Sequence, residues 1–556
     1  MKRFIYSILS GILLALSWPT YGFPFLLFTA FVPLLLLEHE ITQKKEKYSD
    51  WKVFGFTYIS FLIWNYGATQ WLHFSQNPDG SLSWIAFIFP LVVNSFLMSF
   101  TFTLFHFIKR KGGTWSGLIF FPVIWICFEK IHLNWELSWP WLNLGNAFAN
   151  YPQSIQWYEA TGTFGGTLWV LVVNEILFYY IRAYQVTGKR AYVWKLTFYC
   201  ILLIGIPIAI SLLIYQSYKE ISKQKLEVVL AQPALDPYND KYSQDGEQIV
   251  ENLLSSIEND ITPNTSFVVS PETAFPGRGF ISINNLPNDP YIEQIKNWMR
   301  INNPNLSFVS GASLFKEYTT PKTSTARYIK EGNYWVDLYN SAIQIDLPDE
   351  VQYYNKSRLV VGVEHFPYSK ILKPIVGNYM LDFGGTMESL GTQEHPTVFH
   401  HKKNEAKIAP IICYESIYGE YVGRFVRRGA NVLFIMTNDS WWSDSQGHKQ
   451  LLSYARLRAI ETRRDIARSA NSGISAFINQ RGDIEKRLGY GVRGALKGEV
   501  NLNTKLTFYV KYGDWIARVS FIISGIIIAY VITKNIIEHM KIKKNAEKYK
   551  ILKNKN

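Results

Sequence analysis

The stretch KIAPIICYESIYGEYVGRFVRRGANVLFIMTNDSWW, residues 407–442, decides the fold of the polar part of this chain. Two apolar, β-branched runs, KIAPIIC and NVLFIMTND, predict strands, and the segment between them predicts a helix that ends near Gly429. Cys413 closes the first run, so we expect it at a strand-to-helix turn. A helix N-terminus and a nearby cation would both favour its thiolate, and free amide N–H groups there can hold an oxyanion. A buried structural cysteine is the alternative.

The same mixture of strands and helices extends over residues 216–513. Six further runs predict strands: KLEVVLAQP, TSFVVSP, LSFVSGASL, NSAIQID, SAFINQRGD and GALKGEVNL. Helices are predicted near 245–258, 290–301, 416–428 and 447–467. Mixed order and nearly continuous apolar strands indicate sheets covered by helices, an α/β domain.

The rest of the 556-residue chain is strongly apolar. Together, an apolar part and a polar part account for a content of 48% hydrophobic residues with a mean hydropathy near zero. A bilayer core about 30 Å thick requires roughly 20 apolar residues in a helix. Eight segments therefore predict membrane spans: 4–20, 22–38, 53–73, 84–107, 115–131, 164–183, 194–215 and 514–534. The predicted domains are a membrane domain over 1–220 with about seven transmembrane helices, a catalytic domain over 221–508, a C-terminal transmembrane helix over 509–536 and a basic tail over 537–556.

The net charge of +13 is concentrated between the predicted spans. Lysine and arginine crowd the segments 40–52, 108–113 and 184–193 and the tail, a pattern that is typical of cytoplasmic loops. The loops at 74–83 and 132–163 and the domain 216–513 then face the outer side of the membrane. No basic stripe stands out in the polar part, so binding to nucleic acid is not expected.

The predicted outer loop 132–163 is unusually aromatic. Its tryptophans and tyrosines are Trp135, Trp139, Trp141, Tyr151, Trp157 and Tyr158. Such side chains favour the headgroup layer, so an ordinary aromatic belt is one interpretation of this loop. The other interpretation is a lipid-facing floor beneath the outer domain.

Two residues join Cys413 as candidates for chemistry. Glu272 follows the strand FVVSP, and Lys356 follows another predicted strand in YYNKSRLV. Acyl transfer by cysteine needs a base for the thiol proton, donors for the oxyanion and a nucleophile. Each residue alone would more often be structural, but a Glu, a Lys and a Cys at successive sheet edges supply these three roles together.

The order and context of these residues resemble the nitrilase, or carbon–nitrogen hydrolase, superfamily over about 225–505. Matching stretches are SPETAFP, YYNKSRLVVGVEHFP, PIICYESIYGE, TNDSWWSD and YARLRAIETRRDIARSANSGISAFINQRGDI. The resemblance is closest to the apolipoprotein N-acyltransferase branch, because FPVIWICFEKI and LSWPWLNLGNAFANYPQSIQWYEATG extend it into the apolar half. It implies a multi-pass α-helical membrane bundle plus an α/β nitrilase-like domain, an α-β-β-α sandwich.

The resemblance implies a role for each matching residue. Glu272 is the expected general base, Lys356 the oxyanion stabiliser and Cys413 the nucleophile. Three supporting residues match as well: Glu364, Tyr414 and Glu415. Of these, Glu364 is expected to orient Lys356, and the amide of Tyr414 is expected to complete the oxyanion hole.

The side chains that are expected to bind substrate are aromatic. They are Trp139, Trp141 and Trp441. Arg458 and Glu461 match a helix pair, which is either structural or an exposed ion pair. The chain departs from the family pattern at Ser270, Val361, Val363 and Leu451. These positions lie outside the triad, so the departures concern the rim and loops of the site.

The resemblance implies that a fatty acyl chain moves from a membrane phospholipid, through a thioester on Cys413, to the α-amine of diacylglyceryl-cysteine in an apolipoprotein. It implies no cofactor and no metal, and a place in the bacterial inner membrane with the catalytic domain on the periplasmic face. A membrane-tethered nitrilase-type amidase and a non-enzymatic lipoprotein-binding protein are the alternatives. A transporter is not expected, because no charged pair is evident within the predicted spans.

Overall fold

The computed structural model describes residues 1–76, 81–236, 245–369, 371 and 389–553, which form a helical N-terminal part, a domain of two sheets and a long C-terminal helix. The helices of the first part are α1 (Lys2–Leu16), α2 (Leu27–Ala30), α3 (Val32–Gln43), α4 (Ser49–Thr69), α5 (Trp84–Gly112), α6 (Thr114–His132), α7 (Tyr158–Thr161), α8 (Thr163–Thr187), α9 (Ala191–Cys200) and α10 (Ile206–Ser217). Residues 77–80 of the predicted loop 74–83 and residues 554–556 of the predicted tail lie outside the described residues.

Among the described residues, six helical segments are long and apolar enough to cross a membrane. They are Pro24–Gln43, Trp84–Gly112, Thr114–His132, Thr163–Thr187, Ala191–Ser217 and Trp515–Tyr549. Each overlaps one predicted span. Helix α1 has only 15 residues, and α4, with 21, is not among the six, so the spans at 4–20 and 53–73 stay predictions.

Helices α1 and α4 nevertheless pack closely against each other. A Cβ atom added at Gly11 of α1 would lie 2.7 Å from Ser60 O and 2.7 Å from Ile63 Cβ, both on α4. The hydroxyl of Ser60 donates a hydrogen bond of 2.8 Å to Ser7 O. Small residues allow helix backbones in a membrane bundle to approach in this way. This contact joins the short first helix to the rest of the bundle.

The bundle contains a buried charged cluster that the sequence did not reveal. Lys109 of α5 donates a hydrogen bond to the carboxylate of Glu38 on α3, and His106 Nδ1 lies 2.8 Å from Glu38 Oε1. All three side chains are buried. The expectation that the spans hold no charged pair is therefore wrong. The predicted spans ended at 38 and 107, whereas α3 and α5 continue to Gln43 and Gly112 and keep these groups inside the bundle.

The α/β domain contains two sheets. Its strands are β1 (Lys225–Gln232), β2 (Thr265–Val269), β3 (Ile281–Ser282), β4 (Ser307–Tyr318), β5 (Arg327–Ile329), β6 (Tyr334–Asp346), β7 (Glu350–Asn355), β8 (Phe399–His400), β9 (Lys407–Ile412), β10 (Val432–Thr437), β11 (Ile466–Ala470), β12 (Ser475–Ile478), β13 (Ile484–Leu488) and β14 (Gly494–Asn501). The first sheet has the order β14-β1-β2-β4-β6-β5, with β3 beside β4 and β7 beside β6; the second has the order β13-β12-β11-β10-β9-β8. All eight predicted strands are present.

The sheets pack face to face, with helices on both outer sides. The helices on the first sheet are α11 (Gly246–Ser255) and α12 (Pro290–Asn302), and those on the second are α13 (Gly419–Arg427) and α14 (Gln446–Thr462). Successive residues of β1 point to opposite faces, as strand geometry requires: Val229 packs in the core beneath α11 and α12, and Val228 packs in the core between the sheets. The rings of Phe267 and Phe434 meet between the sheets at 5.2 Å. The predicted fold class, a helical bundle with an α-β-β-α sandwich, is confirmed.

Two predicted helix boundaries are wrong. The helix predicted at 447–467 ends at Thr462, because Ile466–Ala470 forms β11 between β10 and β12. The segment IARSA has few β-branched residues, but strands β10 and β12 pair with it on its two sides. The helix predicted at 416–428 is a 3-10 turn, Cys413–Ile417, followed by α13.

The α/β domain docks on the N-terminal part through the buried side chain of Gln450 in α14. Its Oε1 accepts the indole N–H groups of Trp71 and Trp141, at 3.1 and 2.6 Å. Its Nε2 donates to Pro19 O and Ala68 O, at 2.7 and 3.0 Å. Trp141 is completely buried by this contact. Loop 132–163 therefore contacts the α/β domain through Trp141, and its role as a lipid-facing floor stays a prediction.

The C-terminal helix α15 (Phe508–Tyr512) is short and is followed by α16 (Trp515–Lys553). Helix α16 continues through the segment that was predicted as a separate basic tail. It packs against α6 in the bundle, where the hydroxyl of Ser524 lies 3.5 Å from the sulfur of Cys127. The chain therefore returns to the bundle after the α/β domain.

Candidate active site

Glu272 and Lys356 form a buried ion pair at one edge of the first sheet. Glu272 follows β2, Lys356 follows β7, and the lysine Nζ donates to Glu272 Oε1 at 2.8 Å. Nζ also donates to Glu364 Oε1 at 3.0 Å, which is the contact expected of a residue that orients the lysine. The amide of Asn340 on β6 bridges both carboxylates, at 2.8 Å to Glu272 and 2.6 Å to Glu364. This network leaves one ammonium N–H of Lys356 for a further acceptor.

Glu272 is held from the second sheet as well as from the first. Its Oε2 accepts the backbone N–H of Asn438, which directly follows β10, at 2.9 Å. Only 7% of Glu272 is exposed. The carboxylate therefore spans the interface between the sheets at the edge where Cys413 also lies.

Cys413 directly follows β9 in a strained backbone conformation, with φ of +47°. Its Sγ accepts a hydrogen bond of 3.2 Å from the hydroxyl of Thr437. A 3-10 turn begins at the cysteine, and the first amides of such a turn have no acceptor within it. Tyr414 supplies one of these amides, in the place expected for an oxyanion hole. Cys413 thus lies at a strand-to-helix turn, as expected, but the helix that begins there is a 3-10 turn and the α-helix starts only at Gly419.

The charges of the three groups follow from their burial and proximity. Burial raises the pKa of the Cys413 thiol, and the Glu272 carboxylate raises it further, against a smaller opposite effect of Lys356. Burial alone would raise the pKa of Glu272, but the Lys356 ammonium and the hydrogen bonds to the carboxylate lower it. The pKa of Lys356 is raised because its two carboxylate partners outweigh its burial. The raised pKa favours a protonated Cys413 thiol beside an ionised Glu272 carboxylate, so the turn and the Lys356 cation do not by themselves yield a thiolate.

Glu415 does not line the site but connects the segments that carry it. Its Oε1 accepts the hydroxyl of Tyr354 at 2.6 Å and the backbone N–H of Ser357 at 2.7 Å, and its Oε2 accepts the N–H of Ile412 at 2.9 Å. Burial raises the pKa of this carboxyl to about 6, against the opposite effect of these donors. Glu415 therefore fastens the segment after β7 to the end of β9, which sets the lysine beside the cysteine.

Arg458 and Glu461 of α14 form a buried structural pair. Arg458 Nη2 donates to Glu461 Oε1 at 2.8 Å, and Nη1 donates to Ile417 O at 2.5 Å. Both side chains are buried, so the interpretation as an exposed ion pair is wrong. The pair connects α14 to the turn that begins at Cys413.

A cavity of about 460 Å³ extends from the triad to helix α5 of the bundle. The predicted site residues that line it are Glu272, Lys356, Cys413, Glu364, Tyr414, Trp139, Trp141 and Trp441. Helix α5 contributes apolar side chains: Ile85, Phe89, Pro90 and Val93. Val361, Val363 and Leu451 line the cavity too, whereas Ser270 instead hydrogen-bonds Ser310.

Stacked aromatic rings form one wall of this cavity. Trp139 stacks on Trp141 with ring centroids 5.4 Å apart and on Tyr414 at 6.5 Å. Trp442, which neighbours the predicted Trp441, packs against Trp141 at 6.1 Å. The wall offers apolar surface beside the thiol of Cys413. Within the described part of the chain, no group of three or more His, Cys, Asp or Glu side chains could hold a metal ion.

Three residues of the site were missed in the sequence: Asn340, Thr437 and Asn438. Thr437 and Asn438 belong to TNDSWWSD, so their proximity to Trp441 was a usable signal. Asn340 opens the predicted strand NSAIQID, and only the pairing of β6 with its neighbours brings it to both carboxylates.

Comparisons with known proteins identify two families in the chain. Residues 227–505 match the family model described as carbon–nitrogen hydrolase, and residues 10–176 match the one described as the apolipoprotein N-acyltransferase N-terminal domain. The first match spans half of the chain, so this chain belongs to the carbon–nitrogen hydrolase family, and it is an enzyme.

Two relatives match nearly the whole chain, and a solved structure matches about half of it. A protein named apolipoprotein N-acyltransferase from Chlorobaculum tepidum is 28% identical over 541 residues, which are 95% of this chain and 96% of that protein. Apolipoprotein N-acyltransferase 1 from Treponema denticola is 26% identical over 580 residues, 97% of each chain. A solved amidase from Nesterenkonia sp. is 15% identical, with a TM-score of 0.36, and the match covers 55% of this chain and 99% of that one. The resemblance stated from the sequence is confirmed.

Proposed function

We propose that this enzyme is an N-acyltransferase that moves a fatty acyl chain from a membrane phospholipid to the α-amine of diacylglyceryl-cysteine in an apolipoprotein. The observation that carries the proposal is the cavity, which joins Cys413 to the apolar face of α5, a helix able to span a membrane. The names of the full-length relatives support this acceptor. A water-soluble amide would not need an apolar cavity that continues into a bundle.

In the first step, Glu272 removes the thiol proton of Cys413 and the sulfur attacks the ester carbonyl of the phospholipid. The free N–H of Lys356 and the amide of Tyr414 stabilise the oxyanion. The intermediate collapses, the lysophospholipid oxygen takes the proton from Glu272, and a thioester remains on the cysteine. The neutral thiol beside an ionised carboxylate is the starting state that this step requires.

In the second step, the α-amine of the acceptor attacks the thioester. Glu272 takes a proton from the amine nitrogen, the same donors hold the second oxyanion, and the Cys413 thiolate leaves. The thiolate regains its proton from Glu272, and the acceptor carries an amide. No cofactor takes part in either step, because every proton stays between Glu272, the sulfur and the substrates.

The test is to incubate the purified enzyme with phospholipid that carries a radiolabelled acyl chain. We expect a hydroxylamine-sensitive label on the wild type and none on Cys413→Ala. The matched control is Cys127→Ala, which removes a buried thiol of the bundle and should keep the label. A Cys413→Ala protein that is labelled like the wild type contradicts the mechanism.

The acceptor separates this proposal from a membrane-tethered amidase. The labelled thioester is chased either with buffer or with a peptide whose N-terminal cysteine carries a diacylglyceryl group. An acyltransferase transfers the label to the peptide as an amide. An amidase releases free fatty acid at the same rate in both chases.

A further inference from the structure

The cavity contains a second polar group of residues, on the bundle side. Asn94 of α5 and His132, the last residue of α6, both line it, and Asn94 is only 3% exposed. His132 Nε2 lies 2.9 Å from Asn94 Oδ1. The indole Nε1 of Trp135 lies 2.8 Å from His132 Nδ1.

The direction of each hydrogen bond follows from the donor groups. An indole N–H can only donate, so His132 Nδ1 accepts from Trp135 and carries no proton. Nε2 of the neutral ring then carries the proton and donates it to Asn94. The atom of Asn94 that faces the ring must be its oxygen. The NH₂ group of Asn94 is therefore turned away from His132, and it has no hydrogen-bond partner in the described part of the chain.

A second buried hydrogen-bond donor lines the same cavity. The indole N–H of Trp139 is shielded from solvent and also has no partner among the residues that the structure describes. Buried donors are nearly always paired in native proteins, since leaving one without an acceptor costs free energy. Two such donors on one cavity point to a ligand that brings its own acceptor oxygens.

The charge of the site selects the kind of acceptor. Asn94 and Trp139 are uncharged donors, and their neighbours Pro90 and Val93 are apolar. Lys356 is the sole lysine or arginine among the described residues that line the cavity, and it is engaged by two carboxylates. An anionic phosphate would be left without a counter-charge here, whereas a neutral ester carbonyl matches both donors.

We propose that Asn94 Nδ2 and Trp139 Nε1 bind the carbonyl oxygen of a glyceryl ester that is not cleaved. This inference rests on the proposed function, in which both lipid substrates carry such an ester: the second chain of the phospholipid and the diacylglyceryl group of the acceptor. Binding of the uncleaved ester fixes the position of the glyceryl backbone. The backbone position then determines which reacting group, the other ester of the phospholipid or the amine of the acceptor, reaches Cys413. Asn94 and Trp139 then select diacyl lipids over lipids that lack the second carbonyl.

The experiment measures the rate of thioester formation with three phosphatidylethanolamines. One has two ester-linked chains, and each of the others has one chain joined by an ether, in either position. The ether lipid that still acylates Cys413 has lost only the uncleaved carbonyl. We expect the wild type to react about a hundredfold more slowly with it than with the diester, the factor that two lost hydrogen bonds of about 1.4 kcal/mol each give.

Two variants test whether Asn94 and Trp139 bind this carbonyl. Asn94→Leu should react about tenfold more slowly with the diester and lower the diester-to-ether ratio about tenfold, because Trp139 still binds the carbonyl. Trp139→Phe removes the indole N–H and keeps an aromatic ring, and it should also lower the diester-to-ether ratio. This variant tests the inference if Asn94→Leu does not fold. The matched control is Asn65→Leu, a buried asparagine on α4 whose NH₂ is bonded to Phe61 O at 2.8 Å; it should keep the wild-type ratio.

A second arm identifies which lipid is bound. A preformed thioester is chased with a diacylglyceryl peptide or with its dialkyl analogue, and the ratio of the two transfer rates is measured. In each variant this ratio is compared with the diester-to-ether ratio of thioester formation. If a variant changes the ratio only in thioester formation, the bound ester belongs to the phospholipid. If it changes the ratio only in the chase, the bound ester belongs to the acceptor. Wild-type ratios in both steps for both variants overturn the inference. Failure of the proposed function is distinguishable, because the wild type would then form no thioester with any of the lipids.

Discussion

At the scale of single residues, the proposed reaction depends on an ionised Glu272 beside a protonated Cys413 thiol. The ammonium of Lys356 keeps the carboxylate charged, and burial beside that carboxylate keeps Cys413 protonated. In the proposed mechanism, a cysteine in this state attacks only after Glu272 takes its proton. The nucleophile is thus protected from reagents that need a preformed thiolate.

This balance predicts opposite effects of one substitution on two reactions. Glu272→Gln removes the charge that raises the pKa of Cys413, so the pKa falls and the thiolate fraction at neutral pH rises. We expect faster alkylation of Cys413 by iodoacetamide, measured by mass spectrometry of its peptide. Thioester formation from phospholipid should fall by about 10²–10⁴, the usual contribution of a general base.

The control for this prediction is Glu293→Gln, on the exposed side of α12, which should change neither rate. Slower alkylation in Glu272→Gln would mean that the carboxylate does not hold the thiol in its neutral form. Unchanged thioester formation would remove Glu272 from the role of base.

At the scale of elements, helix α14 determines how the catalytic domain sits on the bundle. Gln450 offers its four hydrogen-bonding positions to four buried groups from three segments of the N-terminal part. One side chain therefore couples the helix to α4, to the segment after α1 and to the aromatic loop. Buried networks of this kind are costly to leave partly satisfied.

Replacing Gln450 by leucine tests this coupling. Gln450→Leu leaves two indole N–H groups and two carbonyls without their partner, and each unsatisfied group costs about 1–3 kcal/mol. We expect a clear fall of the unfolding temperature in detergent and faster proteolysis between the domains. Gln248→Leu on the exposed face of α11 is the matched control and should change neither. A Gln450→Leu protein as stable as this control would show that the contact does not hold the domains together.

At the scale of the whole molecule, the cavity is built by both halves of the chain. The α/β domain supplies Glu272, Lys356 and Cys413, and α5 and the aromatic loop supply the apolar remainder. A lipid that lies beside the bundle would thus meet the nucleophile without leaving an apolar environment. This arrangement supports a site just above one face of the membrane, which the charge distribution predicts to be the periplasmic face.

That orientation can be measured with single cysteines in a Cys127→Ala, Cys200→Ala background. Lys322→Cys lies on the exposed edge of the α/β domain, and Lys189→Cys lies in the exposed loop between α8 and α9. A membrane-impermeant maleimide added to intact spheroplasts should label the first and not the second. Both should be labelled after detergent lysis. The reverse pattern would place the catalytic domain in the cytoplasm.

Much of the fold was predictable, because strands and spans are local patterns. Eight strands and six helices that can span a membrane lie where apolar and β-branched runs predicted them. The strand Ile466–Ala470 was missed because it directly follows a helix and its parallel neighbour β10 lies about 30 residues earlier in the chain. The cluster of Glu38, His106 and Lys109 was missed for a related reason: a helix end cannot be placed from hydropathy when charged groups pair inside the bundle.

The sequence by itself determined the class of enzyme, through the types and order of Glu272, Lys356 and Cys413 and the motifs around them. Tertiary structure alone decided their protonation, because burial and the distance to a neighbouring charge are not properties of a local segment. It also decided that Asn340 and Glu415 hold the site together and that Asn94 faces it from the bundle. Each of these contacts joins segments that only the packing of the two sheets on the helices brings together.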